Sequence, residues 1–201
     1  MIARLLSGFR SRRNCSRALL ATLAVLLVGC ASAPPAPVEI PLRPQREGIL
    51  GFGMTGRLVI QNGQKADTVR IAWDHTVEQD ALVFSTAMGI VAAELRRTAE
   101  GAVWTTSAGE RFEARNADQL MAQLTEQPVP LKALSYWLVG RLTRDGSGTR
   151  DAQGRLLEGT DQGWAVRVLA YEVDRPDALP SIVEVSRGSL RIRLAIEGWV
   201  L

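Results

Sequence analysis

Leu190-Arg191-Ile192-Arg193-Leu194-Ala195-Ile196-Glu197 decides the fold of this chain. Apolar side chains occupy every second position, and charges fill most of the gaps. That is the period of a strand with one buried and one wet face. The same period recurs upstream. Leu58 and Ile60 share one face; Val69, Ile71 and Trp73 alternate with Thr68, Arg70 and Ala72. Leu82 and Phe84, then Val91, Ala93 and Leu95, continue it, and Trp164, Val166, Val168 and Ala170 repeat it. Between these runs stand Asn62-Gly63, Met88-Gly89, Glu100-Gly101, Ala108-Gly109 and Arg187-Gly188, all turn-forming pairs. Turns at this even spacing predict an all-β sandwich or barrel. About ten consecutive antiparallel strands tend to curl or close.

Two helices interrupt the strands. Asn116 can cap a helix through Asp118, Leu120, Met121 and Leu124, which Pro128 stops. Pro130 opens a second, Leu131 to Val139, ended by Gly140. Leu131, Leu134, Tyr136, Trp137 and Leu138 make this helix apolar nearly all round, so it is buried or lies over something apolar. Gly146, Gly148 and neighbouring charges predict a mobile surface loop over 143–154, with strands resuming at Arg155.

The N-terminus is of another kind. Arg4, Arg10, Arg12, Arg13 and Arg17 precede the apolar stretch Ala18 to Val28, a positive head followed by a short apolar core. The stretch falls short of the roughly 20 residues that span a bilayer. Leu27-Val28-Gly29-Cys30 resembles the bacterial lipobox, which implies a signal peptide over 1–29 and acylation of Cys30. Ala31 in place of an aspartate implies export to the outer membrane. Pro34, Pro35, Pro37, Pro41 and Pro44 then predict an extended tether up to about residue 48, and a single domain over 49–201.

Cleavage changes the charge argument. Of 24 Lys+Arg, five lie in residues 1–29, which hold no acid, leaving 19 against 21 Asp+Glu. The basic balance belongs to the signal, and no nucleic-acid partner is expected. Cys15 leaves with the signal and Cys30 is the lipid site, so no thiol remains for a disulfide, a zinc site or a nucleophile.

Catalytic patterns are absent. No Gly-x-Ser-x-Gly, His-Glu-x-x-His or phosphate-binding glycine loop occurs, and no close pair of acids stands out. His75, the one histidine, reads as a solvated loop residue, and Arg96-Arg97 as a solvated strand edge. Asp145 and Asp151 match no calcium-loop spacing. Neither an enzyme nor a cofactor is expected, which leaves binding or transport. The large side chains Trp73, Phe84, Trp104, Trp137 and Trp164 either fill the centre of a packed β core or line a cavity, and the residues alone leave both open.

A resemblance narrows the choice. Gly56-Arg57-Leu58, Trp73 and Ser85-Thr86-Ala87-Met88-Gly89 run in the order of the LolB family of outer-membrane lipoprotein receptors. Pro130-Leu131, Leu134-Ser135-Tyr136-Trp137-Leu138-Val139-Gly140, Gln162-Gly163-Trp164-Ala165-Val166 and Leu179-Pro180 are similar to it in the same order. Two departures are the hairpin tip, usually Pro-Leu-Gly and here Ala87-Met88-Gly89, and Arg141 where a proline is usual.

The resemblance implies a strongly curved antiparallel sheet, a half-open barrel, with a helical lid over an apolar cavity. Acyl chains would then meet Val69, Ile71, Trp73, Leu82, Phe84, Val91, Leu95 and Trp104 from the first strands. From the lid and the last strands they would meet Leu134, Trp137, Leu138, Trp164, Val166, Ile192 and Leu194. Met88 would be a membrane-insertion tip. The implied partners are a LolA-like periplasmic carrier, acylated lipoproteins and outer-membrane lipid, with the chain acting as a monomer. A structural lipoprotein or a carrier of free lipid is the rival reading.

Overall fold

The computed structural model describes residues 39–125 and 128–201. The signal peptide, Cys30 and the tether up to residue 38 lie outside the described residues. Eleven strands form one antiparallel sheet: β1 Phe52–Asn62, β2 Lys65–His75, β3 Asp80–Ser85, β4 Val91–Arg97, β5 Ala102–Thr106, β6 Arg111–Ala114, β7 Ser147–Arg150, β8 Leu156–Asp161, β9 Trp164–Tyr171, β10 Pro180–Arg187 and β11 Leu190–Val200. Their order is β6-β5-β4-β3-β2-β1-β11-β10-β9-β8-β7, so the first and last strands pair at the centre. β6 and β7 remain edges, and the sheet curves without closing. The half-open β architecture expected above is the one observed, with eleven strands rather than ten.

β1 and β11 pair over Gly53 to Asn62, with one bulge between Thr55 and Gly56. A Cβ on Gly56 would stand 2.3 Å from the Ala195 carbonyl oxygen, so the two strands approach this closely only because residue 56 has no side chain. Two helices, α1 (Ala117–Leu124) and α2 (Leu131–Leu138), carry the chain from β6 to β7 across the concave face. The Asn116 side chain caps α1, accepting from the Gln119 N–H at 2.9 Å. After α2 the backbone turns at Gly140 (φ 76), so that the Arg141 N–H donates to the Tyr136 carbonyl at 2.9 Å.

Residues 147–150 are a strand and not a mobile loop. Gly148 sits against Glu158, where a Cβ would meet the Glu158 carbonyl oxygen at 2.4 Å. Arg155 closes the turn: its guanidinium donates to Asp151 at 2.7 Å and its backbone N–H to the same carboxylate at 2.8 Å. Arg155 therefore lies in the turn, and β8 begins at Leu156. Residues 40–48 are fastened to the β9–β10 connection. Arg43 pairs with Glu172 at 2.6 Å, and its N–H donates to Asp177 at 2.7 Å.

Candidate functional site

The concave side is solid in one half and hollow in the other. Under α2, the side chains of Trp137, Leu138, Leu156, Trp164, Val166 and Val183 are fully or almost fully buried. The Trp137 and Trp164 rings lie 6.4 Å apart. One carboxylate fastens this half. Buried Asp161 accepts from the Trp137 indole N–H at 2.8 Å, the Thr143 N–H at 2.6 Å and the Thr143 hydroxyl at 2.5 Å. Helix α2 is thus held to the end of β8 by a largely buried, charge-assisted network.

On the other side of α2 lies a cavity of about 700 Å³. It is within the range of about 300–1,000 Å³ usual for ligand sites, and its lining is overwhelmingly apolar. β1 supplies Leu58 and Ile60, β2 Val69, Ile71 and Trp73, β3 Leu82 and Phe84, β4 Ala93 and Leu95, and β5 Trp104. Val185 of β10 and Leu190, Ile192 and Leu194 of β11 complete the sheet side, and Met121, Leu124, Val129, Leu131 and Leu134 the helical side. Burial falls along β1 to β4 toward one end, while Val185 of β10 and Leu190 of β11 stay buried there. Trp73 is buried and Val69 half-buried; Leu82 is buried and Phe84 half-buried; Leu58 is buried while Asn62, also on the lining, is exposed. The cavity therefore opens where the β1–β2, β3–β4, β5–β6 and β10–β11 turns lie.

The closed end is organised by Asp80. This buried carboxylate accepts from the Trp73 indole N–H at 2.9 Å, from His75 Nδ1 at 2.5 Å and from the Arg97 guanidinium. Burial alone would raise its pKa. The hydrogen bonds from His75, Arg97 and Trp73 outweigh that and hold it below the usual carboxylate range. His75 and Arg97 are thus partners of a buried acid that sets the Trp73 ring, not the solvated residues expected above. Arg96 does face solvent, beside Glu94.

Ten of the fifteen residues expected on the cavity are on its lining. Five are not. Trp137, Leu138, Trp164 and Val166 belong to the solid half, because Asp161 draws the Trp137 indole to that side of α2. Val91 is exposed at the start of β4. It joins Met88 and Ile90 in an apolar tip at the mouth end, where Met88 is 89% exposed. The tip backbone is closed by Gly89 N–H to the Thr86 carbonyl and Thr86 N–H to the Ile90 carbonyl, both 2.9 Å, with Gly89 at φ 82. Among lining residues not expected, Leu58, Ile60 and Leu190 already shared the alternating face, and Leu124 and Met121 the apolar side of α1. Among the described residues no cluster of metal-binding side chains occurs, and no helix is long and apolar enough to cross a membrane.

Residues 51–199 match the protein family described as "Outer membrane lipoprotein LolB". The outer-membrane lipoprotein LolB of Azoarcus sp. (strain BH72) is 36% identical over 194 residues, covering 96% of this chain and 98% of that protein. Its counterpart in Dechloromonas aromatica (strain RCB) is 32% identical over 187 residues, covering 90% and 95%. A LolA superfamily protein of known structure from Nitrosomonas europaea superposes with a TM-score of 0.51 at 10% identity, covering 80% of this chain and 88% of that one.

Proposed function

The chain belongs to the LolB family, and we propose from that premise that it takes acylated lipoproteins from a LolA-like periplasmic carrier and sets them into the outer membrane. It is a trafficking protein of the outer membrane and not an enzyme. The observation that carries this reading is the cavity: about 700 Å³, apolar, and open at one end.

The physics is that of a lipid in water. Each exposed methylene costs about 0.8 kcal/mol, so a long acyl chain costs on the order of 10 kcal/mol to carry bare across the periplasm. A wall of Val69, Ile71, Phe84, Trp104, Leu134 and Ile192 removes most of that cost. Cavity and bilayer are alike in polarity, so delivery needs no nucleotide. Direction comes from graded affinity, weakest in the carrier and strongest in the membrane.

In this reading residues 1–29 are the signal peptide, acylated Cys30 is the anchor, and the segment to residue 48 is the linker, its last part lying against the 49–201 domain. The mouth holds the acyl chains, and Met88 with Ile90 enters the membrane surface as they leave. The test is saturable uptake of a fluorescent acyl probe by delipidated protein, competed by an acylated peptide and by free fatty acid. Saturable uptake with the acylated peptide as the better competitor is expected. No saturable uptake removes the cavity reading, and equal competition makes the protein a carrier of free lipid.

A further inference from the structure

The convex face of the sheet carries an arginine field that the cavity does not use. Arg57 of β1, Arg70 of β2, Arg167 of β9, and Arg191 and Arg193 of β11 all point outward, each 48–63% exposed. Few acids answer them. Buried Glu184 of β10 takes Arg193 at 2.7 Å, Arg167 at 3.8 Å and Arg191 at 3.9 Å. Glu197 is shared by Arg57 at 2.8 Å and Arg70 at 3.1 Å. Glu158 lies opposite Arg167 in the ladder, while the other outward acids of the central strands, Asp74 of β2 and Glu94 of β4, stand further toward the closed end. Within this part of the face five guanidinium groups thus stand over Glu184, Glu197 and Glu158, in a mature chain whose acids outnumber its bases. Two of the carboxylates are each divided among several arginines, so N–H donors remain free toward solvent.

The position of the field says what it meets. Arg70 lies directly across from Ser85, and Arg57 directly across from Arg70. Met88 is three residues beyond Ser85 at the tip of a tight turn, so it lies at most about 10 Å further along, the span of three residues at a strand's rise. Headgroup layers are roughly 5–8 Å deep on each side of the hydrocarbon. With Met88 at the hydrocarbon boundary, Arg57 and Arg70 stand among or just above the phosphates. Arginine suits that depth, since its fork matches phosphate and its stem packs on apolar surface.

We propose that this convex face binds anionic lipid headgroups and lays the domain on the leaflet with its mouth and its Met88 tip turned to the bilayer. The proposal rests on the receptor reading for the place where the domain works, and it names a lipid class for that place. The apolar tip beside the field, exposed to water, favours a membrane over an acidic protein as the occupant.

The experiment is co-sedimentation of the Cys30→Ala chain with vesicles of phosphatidylethanolamine alone or with one quarter phosphatidylglycerol, acyl-probe uptake being measured in parallel. The chain should prefer the anionic vesicles, and added salt should abolish the preference as the screening length falls from about 10 Å at 0.1 M to about 3 Å at 1 M. A basic residue near an anionic surface is worth about 1 kcal/mol, so Arg57→Gln with Arg70→Gln should bind about 25-fold more weakly. Arg191→Gln with Arg193→Gln should fall similarly, Arg57→Lys with Arg70→Lys should retain binding, and all three should keep probe uptake. No preference for anionic vesicles, or glutamine variants that bind them like the parent, overturns the proposal. So does a variant that keeps vesicle binding but loses capture by the carrier, which would give the face to a protein. Failure of probe uptake in the parent chain would sink the receptor reading alone, because the vesicle arm reads the face independently.

Discussion

Met88→Glu separates folding from delivery. Met88 is 89% exposed, and the turn that carries it is held by backbone hydrogen bonds and by Gly89, none of which involves the residue 88 side chain. Stability and acyl-probe affinity should therefore match the parent within a few tenths of a kcal/mol, as for other surface substitutions. Delivery should not. Burying a methionine side chain in an apolar phase is worth about 1.5–3 kcal/mol. Losing that gain at the membrane surface lowers the population of the engaged state roughly 10- to 150-fold. An ionised carboxylate adds a desolvation cost in the same direction. The assay is transfer of a bound acylated protein to liposomes, with probe binding measured in parallel. Met88→Leu should transfer like the parent, and Ile90→Glu should slow transfer like Met88→Glu. Equal rates for Met88→Glu and the parent would refute the reasoning, and a melting point far below the parent would show that the tip is structural.

Other consequences follow from the two buried carboxylates, the cavity wall and the anchor. Asp161→Ala strands the Trp137 indole, the Thr143 N–H and its hydroxyl, at about 1–3 kcal/mol for an unsatisfied buried group. A loss of about 3 kcal/mol should lower Tm by roughly 6–12 °C in a calorimetric scan, and an unchanged Tm would mean α2 is not held there. The folded pKa of Asp80 is depressed, so its contribution is complete above the unfolded value near 4 and is lost as pH falls through the folded value. Urea melts of the parent should therefore lose stability below about pH 4 more steeply than those of Asp80→Asn. Acyl-probe binding should change Trp104 emission, because that ring is on the wall, and leave Trp137 emission as it was; single-tryptophan variants with the opposite pattern would place the chain in the other half. Cys30→Ala should release the protein to the soluble periplasmic fraction, and a variant still held tightly in the outer membrane would remove the acylation.

Alternation was enough to read the strands, because a half-buried sheet writes its two faces into the sequence at period two. Leu190 to Ile196 and Val69 to Trp73 stand where that period puts them, and nine of the strand residues that the resemblance placed on a cavity wall lie on that face. Helix α2 resisted the same treatment. With Leu131, Leu134, Tyr136, Trp137 and Leu138 around it, no apolar stripe marks which side meets the cavity and which meets packed core. The choice is made by Asp161, 24 residues along the chain from Trp137, and no local period reports such a partner. The role of His75 is hidden from the sequence for the same reason. Its partner Asp80 stands across the β2–β3 turn, and a lone histidine in sequence carries no sign of the acid it will meet. Gly146 and Gly148 suggested looseness. In the fold they allow close approach, which only the neighbouring strand reveals.

If the cavity takes up and gives off acyl chains as proposed, it cannot be held open by its contents. Its wall atoms lack partners when it is empty, and each lost contact is a small cost repeated many times. The fold answers by dividing the work. The β8–β10 side is packed solid beneath α2 and closed by Asp161, so the roof keeps its place whether or not lipid is bound. At the far end Asp80 fixes Trp73, so the floor keeps its shape as well. Between those two fixed points the wall grows steadily more exposed toward Asn62 and the Met88 tip. A chain lying there is well covered at its depth and poorly covered at the mouth. Each methylene that moves outward gives up cavity contact and, at a membrane surface, gains the bilayer in return. The part of the chain nearest the mouth has least to lose and leaves first. Delivery can then proceed in small steps, none of which exposes the whole chain to water, and no external energy source is required.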